Sequence, residues 1–146
     1  MAETFNLRLL DLLKSTATEL VAELDADACA ISRTIGDVLI MVIDLAPAGR
    51  SLQLGGGFLV SDYPATREVL ATGKPRTMTL LDQDIDPQEA SVLRELGFGA
   101  LMMLPLELNG GPWGLVELYR EEPIPFTADD LRGAGAVIAR AAALVG

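Results

Sequence analysis

The stretch Leu101–Arg120, LMMLPLELNGGPWGLVELYR, constrains the fold more than any other part of the chain. Two apolar runs flank Asn109-Gly110-Gly111-Pro112. Asn-Gly is a strong hairpin signal, because both residues tolerate the positive φ that a tight turn of the right twist requires. Alternation along the second strand puts Trp113, Leu115, Glu117 and Tyr119 on one face, and Gly114, Val116, Leu118 and Arg120 on the other. A carboxylate thus shares a face with three large side chains. Neither face is freely polar, so the rest of the chain must supply a cover for each. Pro105 lacks an N–H, which calls for a bulge in the first strand or a place at an edge.

The 146 residues are read as one domain, 1–146, long enough to bury a core. Half of them (50%) are hydrophobic, yet no apolar run reaches the roughly 18–20 residues of a membrane span. The start of the chain lacks the basic and apolar regions of a signal peptide. The net charge of −10 argues against nucleic acid and anionic lipid as partners, since both need clustered Lys and Arg. One cysteine, Cys29, cannot form an internal disulfide, and a cytoplasmic location is the default. There is no histidine, which removes the commonest metal ligand and the commonest general base at neutral pH. No metal-ligand spacing and no Ser-His or Cys-His arrangement can be assembled.

Two long helices are expected at the ends. In 4–24, Leu7, Leu10, Leu13, Ala17, Leu20 and Leu24 form one apolar stripe, and Phe5, Leu9, Leu12 and Thr16 a shorter one. Two stripes fit a helix that packs on its own sheet and also on a partner; a helix sunk deeper into one core is the alternative. In 127–145, a Thr127-x-x-Asp130 capping box opens a helix with Leu131, Ala134, Ile138, Ala141 and Val145 as a heptad seam. Small residues (Gly133, Gly135, Ala136, Ala139, Ala142, Ala143) keep that helix narrow enough for close approach. The expected homodimer interface is therefore Leu7, Leu10 and Leu13 with Leu131, Ala134, Ile138, Ala141 and Val145. The seam runs on as in a domain cut from a longer chain, whereas Met1 fits a native start.

Between these helices, 28–34 and 38–45 read as strands joined by Ile35-Gly36-Asp37, and the apolar VLIMVIDL as a central strand covered on both sides. Ser51–Leu54 reads as a short third strand. Ser61 or Asp62 is expected to cap a helix that starts near Pro64 and stops at Gly73. Arg76–Leu80 reads as a strand, and Asp86-Pro87 opens a helix with Val92, Leu93 and Leu96 inward. This order is an α+β pattern with a largely antiparallel sheet, terminal helices on one face and short internal helices on the other.

The segments DADACAISR, SDYPATREVLATGKPRTM, FGALMMLPLELNGGPWGLVELYR and PFTADDLRGAGAVIARAAALV, in that order, resemble a GAF domain. The family is the small-ligand module of cyclic-nucleotide phosphodiesterases, phytochromes and bacterial signalling proteins. The resemblance implies a profilin-like, PAS-related sheet of about six antiparallel strands. Its terminal helices often form a dimeric four-helix bundle, and a ligand pocket lies on the opposite face. It points Glu117 into that pocket, with Trp113 at the strand's entry end. Phe58, Asp62, Tyr63, Thr66, Arg67, Met78, Trp113, Glu117 and Tyr119 become the candidate ligand contacts. Glu117 could accept hydrogen bonds from a ligand, or pair structurally with Arg67, Arg76 or a backbone amide. Arg67 could fork onto a phosphate or carboxylate, or sit in solvent beside Asp62 or Glu68. Met41, Met78, Met102 and Met103 read first as strand core, although methionine also suits an adaptable pocket. Gly55-Gly56-Gly57 lacks the Gly-Lys-Ser/Thr ending of a phosphate loop and reads as a flexible approach to the pocket lid.

Several known activities of the family do not carry over. A single thiol, expected to be buried and inert, cannot regenerate a methionine-sulfoxide reductase of this family. The histidine that usually lies beside a covalent bilin is missing, a histidine-ligated haem is excluded, and the cyclic-nucleotide signature Asn-Lys-x-x-x-Phe-x-x-x-Asp-Glu does not occur. The expectation is a non-enzymatic, bacterial-type sensory domain that binds an unidentified small molecule. It would act as a homodimer on an output domain such as a kinase, cyclase, phosphodiesterase or transcription regulator. A ligand-free dimerisation module is the alternative reading, and a small enzyme the third.

Overall fold

A computed structural model describes residues 7–53 and 58–145. The elements run α1 (Leu7–Glu23), β1 (Ala28–Ile35), β2 (Val38–Leu45), β3 (Phe58–Leu59), a 3-10 turn at Val60–Asp62, α2 (Pro64–Thr72), β4 (Arg76–Thr79), α3 (Pro87–Leu96), β5 (Ala100–Leu108), β6 (Gly111–Arg120) and α4 (Ala128–Ala143). The six strands make one antiparallel sheet in the order β3-β2-β1-β6-β5-β4. β2 is therefore next to the edge, flanked outside, among the described residues, by the two residues of β3, and its Ile40 is exposed. This corrects the central placement read from its apolar sequence: the central strands are β1 and β6.

Each face of the sheet has its own core. Leu13, Ala17 and Leu20 of α1 and Ala134 and Val137 of α4 bury Ile31, Met102, Val116 and Leu118 on one side. On the other, Val69 of α2 and Leu93 of α3 close over Ala30, Leu101, Met103 and Leu115. Both covers that the hairpin demanded are present. The hairpin turns at Asn109 (φ 56) and Gly110 (φ 77), both left-handed, as the Asn-Gly pair requires. Pro105 lies beyond the last β4 pairing, at Met103, where β5 has a free flank among the described residues.

Four local expectations change. The register between β5 and β6 shifts after Leu106, which pairs Gly114, while Glu107 pairs Pro112. Trp113 is the unpaired residue of this bulge, and a bulge reverses the alternation beyond it. Its indole packs into the α1/α4 core, away from the face that carries Glu117 and Tyr119. The third strand is Phe58–Leu59, while Ser51–Gln53 form no ladder and Leu54 lies outside the described residues. α2 is capped by neither Ser61 nor Asp62. Tyr63 stands at its N-cap with no side-chain bond, and the Asp86 carboxylate instead accepts from Ala65 N at 3.2 Å while also capping α3 through Gln88 N at 3.1 Å. Finally, Leu13, Ala134 and Ala141 are buried against the chain's own core rather than presented at its surface. Leu131, Ile138 and Val145 are half-buried against the same core, Leu10 is half-buried, and the Leu7 side chain lies outside the described residues. The heptad seam of α4 faces its own sheet.

Arg120 closes the end of the sheet. Its guanidinium donates to Leu24 O (2.6 Å) and Asp25 O (3.2 Å), just past α1, and to Ile124 O (3.2 Å) and Pro125 O (2.9 Å), just before α4. It also lies 4.0 Å from the Phe126 ring centroid. The capping box then starts α4: Asp130 N donates to Thr127 Oγ1 at 3.1 Å, and Thr127 N to Asp130 Oδ2 at 2.8 Å. Thr127→Ala is expected to cost about 1 kcal/mol, read as a lower urea midpoint with an unchanged slope. An unchanged midpoint would show that packing alone starts this helix.

Candidate functional site

A cavity of about 500 Å³ lies between the sheet and the internal helices. Its floor is Ser32 of β1, Val38 to Met41 of β2, and Glu117 and Tyr119 of β6. Glu89, Val92 and Leu96 of α3 form the roof, and Leu52, Gln53, Phe58 and Tyr63 the remaining wall. Phe58 and Tyr63 stack with centroids 3.9 Å apart and planes 12° apart. β3 positions the first ring and the N-cap of α2 the second.

Of the residues singled out in the sequence, the fold brings Phe58, Tyr63, Glu117 and Tyr119 together around this space. Thr66 is fully buried behind it, its Oγ1 donating to Glu89 Oε2 at 2.8 Å and contacting Met103 Sδ at 3.6 Å. Met78 is buried in the same inner core and is not part of the lining. Asp62 and Arg67 are exposed outside the cavity, and Trp113 is on the far side of the sheet.

Glu89 is the residue that sequence reasoning passed over. It stands at three, four and seven positions before Val92, Leu93 and Leu96, hence on the same helical stripe. A carboxylate on an apolar stripe was the available signal. It is 2% exposed, and Glu117 is 9% exposed.

Burial raises the affinity of both carboxylates for protons. Glu117 is pushed up to about 8, by its desolvation first and by the charge of Glu89 second, with a hydrogen bond from the Tyr119 hydroxyl acting against the rise. Glu89 is also raised by burial, while the Thr66 hydrogen bond pulls it down, Asp86 raises it and Arg76 lowers it. Tyr119 is pushed well above the usual phenol range by burial and by the Glu117 and Glu89 charges, and Tyr63 is raised by its own desolvation, then by Glu89, Asp62 and Glu95. No described ion pair reaches Glu117, so the structural pairs considered with Arg67 and Arg76 are not formed. Arg76 instead pairs with Glu68 at 3.0 Å. Cys29 is buried and raised by desolvation and by Glu117, and it packs on the α1/α4 side. Among the described residues, no three His, Cys, Asp or Glu side chains gather as a metal-ion site, and no helix is long and apolar enough to cross a membrane.

Comparison with known proteins agrees with this architecture. No curated protein matches the chain. Among solved structures, the phycoerythrobilin-bound GAF domain from a cyanobacterial phytochrome superposes with a TM-score of 0.78 at 20% identity, covering 94% of this chain and 84% of that one. The blue-light-absorbing form of the Thermosynechococcus elongatus PixJ GAF domain gives 0.79 at 14% identity, with 97% and 89% covered. The GAF domain of a two-component sensor histidine kinase from Bacillus halodurans gives 0.75 at 17%, with 97% and 95% covered. These likenesses establish the fold. The GAF domain family model itself matches residues 8–145, nearly the whole of the sheet and helices described above, and the chain belongs to the GAF domain family.

Proposed function

We propose that this GAF domain is a non-catalytic receptor for a small organic molecule held between β1, β2, β6 and α3, and that its occupancy is passed to α1 and α4. The observation that carries the reading is the cavity of about 500 Å³ with two buried carboxylates on its walls. That volume is in the range of pockets that enclose drug-sized ligands. A ligand-free structural module is less well supported, since a filled core would leave no such space. Catalysis is less well supported too, since the site offers neither a histidine nor an exposed thiol.

Bilins are bound by two of the similar structures. The residues here do not fit a covalent one: the chain's one thiol, Cys29, lies on the α1/α4 side of the sheet, away from the cavity. Homodimerisation belongs to the same proposal, through the outer faces of the terminal helices, where Gly135, Ala136 and Ala139 of α4 are exposed. Transmission to an output domain is the remaining part of it. Light scattering at micromolar concentration should give twice the chain mass; a monomer would remove the dimer from the proposal.

A thermal-shift screen across metabolite classes tests the receptor itself. At about one hundred times its Kd, a true ligand adds about 2.7 kcal/mol and raises Tm by roughly 5–10 °C. Met41→Trp, which fills the cavity from β2, should abolish the shift. A screen with no shift in the unmodified domain, or equal shifts in the Met41→Trp variant, would count against a receptor.

A further inference from the structure

The groups of the cavity that can carry charge are all acidic. Glu89, Glu117, Tyr63 and Tyr119 line it together with the Ser32 hydroxyl and the Gln53 amide, and no lysine or arginine is among the described lining residues. The adjoining stretch 54–57 is Leu-Gly-Gly-Gly and brings no charge. The arginine felt by Glu89, Arg76, is held by Glu68 at 3.0 Å.

Both carboxylates retain acceptor capacity. Thr66 occupies Oε2 of Glu89 at 2.8 Å, and the Tyr119 hydroxyl meets Glu117. A carboxylate can accept about four hydrogen bonds, and no backbone N–H or cation among the described residues is bonded to either group. Glu117 alone holds its proton to about pH 8, so a bound cation would draw that proton off and pair with the carboxylate it leaves, a gain that an anion cannot make. A cation, or a ring bearing several N–H groups, would supply what both walls lack. The stacked Phe58 and Tyr63 rings offer a flat π-surface that attracts a planar cation.

We propose that the cavity takes a planar, nitrogen-rich organic cation, its N–H groups accepted by Glu117 on the floor and Glu89 on the roof. This rests on the receptor reading and narrows it to one charge class. Phosphates, nucleotides and carboxylic acids are expected to bind this cavity more weakly than such a cation.

Two fluorescent tricyclic probes of similar size separate the possibilities: proflavine, a planar cation with two amino groups, and acridine carboxylate, an anion. Titrations at physiological salt suppress loose attraction to the acidic surface. Proflavine should bind at least on the order of a hundredfold more tightly than acridine carboxylate. Glu117→Gln and Glu89→Gln should each weaken it about tenfold or more, and Met41→Trp should abolish it, while Glu23→Gln, exposed at the end of α1 and away from the cavity, should change nothing. Two conservative variants on opposite walls keep the test open if one of them folds poorly. Acridine carboxylate binding equally well, with Met41→Trp blocking both probes, would overturn the charge class and leave a receptor. Failure of both probes to bind the unmodified domain would overturn the planar-cation proposal, while the metabolite screen separately decides the receptor reading.

Discussion

Gly114→Ala is expected to destabilise the domain by about 3–5 kcal/mol, or to prevent folding outright. A Cβ built at Gly114 would stand 1.9 Å from Ser32 O, 3.0 Å from Ser32 C and 3.1 Å from Arg33 Cα. All three are backbone atoms of β1, so no side chain can swing aside. Relief requires prising β6 from β1, the central pair of the sheet. The same movement would disturb Ser32 and Glu117 on the cavity floor. Urea unfolding followed by circular dichroism would report the loss, with Gly111→Ala, whose Cβ meets nothing within 4 Å, as the control. Equal midpoints for the two variants would show that the close approach of β1 to β6 is not required.

Stability should also fall as pH rises from about 4.5 to about 8, and Glu117→Gln should remove much of that fall. Below an ordinary carboxylate pKa of 4.5, Glu117 holds its proton in both the folded and unfolded chains, and burial costs nothing in charge. Above it the unfolded chain releases the proton while the folded chain, with its group pushed up to about 8, retains it. The resulting penalty grows through this window and is constant beyond it, on the order of 3–5 kcal/mol. The groups facing Glu117 shape the curve. Glu89 on α3 is raised and acts in the same direction. Tyr119, Tyr63 and Cys29 have their own protons held more tightly, so their effects fall at alkaline pH. Arg76 favours the ionised form of Glu89 and softens the slope. The net charge of −10 adds self-repulsion in the same direction, so the difference between the parent and Glu117→Gln is the quantity to measure. Parallel stability curves for the two between pH 4.5 and 8 would sink the claim that Glu117 titrates inside the fold.

The features legible in the sequence are those set by local chemistry. Asn109-Gly110 marked the turn, alternation put Glu117 and Tyr119 on one face, and the resemblance to GAF domains turned that face toward the cavity. Thr127 and Asp130 marked the start of α4 three residues apart. What was lost depends on atoms distant along the chain. The bulge that turns Trp113 away is visible only once β5 and β6 are in register. The cap of α2 comes from Asp86, 21 residues away from Ala65. An apolar stripe such as Leu131 to Val145 reads the same whether it faces its own sheet or a second copy, because the same side chains serve both. Glu89 was hidden for a different reason: the stripe is defined by its apolar members Val92, Leu93 and Leu96, and an acid at a matching helical spacing does not register in an apolar count.

The arrangement around Arg120 has a mechanical consequence. Glu117 and Tyr119 stand inside the cavity, and the next residue of the same strand grips the chain where it leaves α1 and where it enters α4. β6 is thus a yoke with one handle. The ends of α1 and α4 are tied through one guanidinium to the strand that lines the cavity.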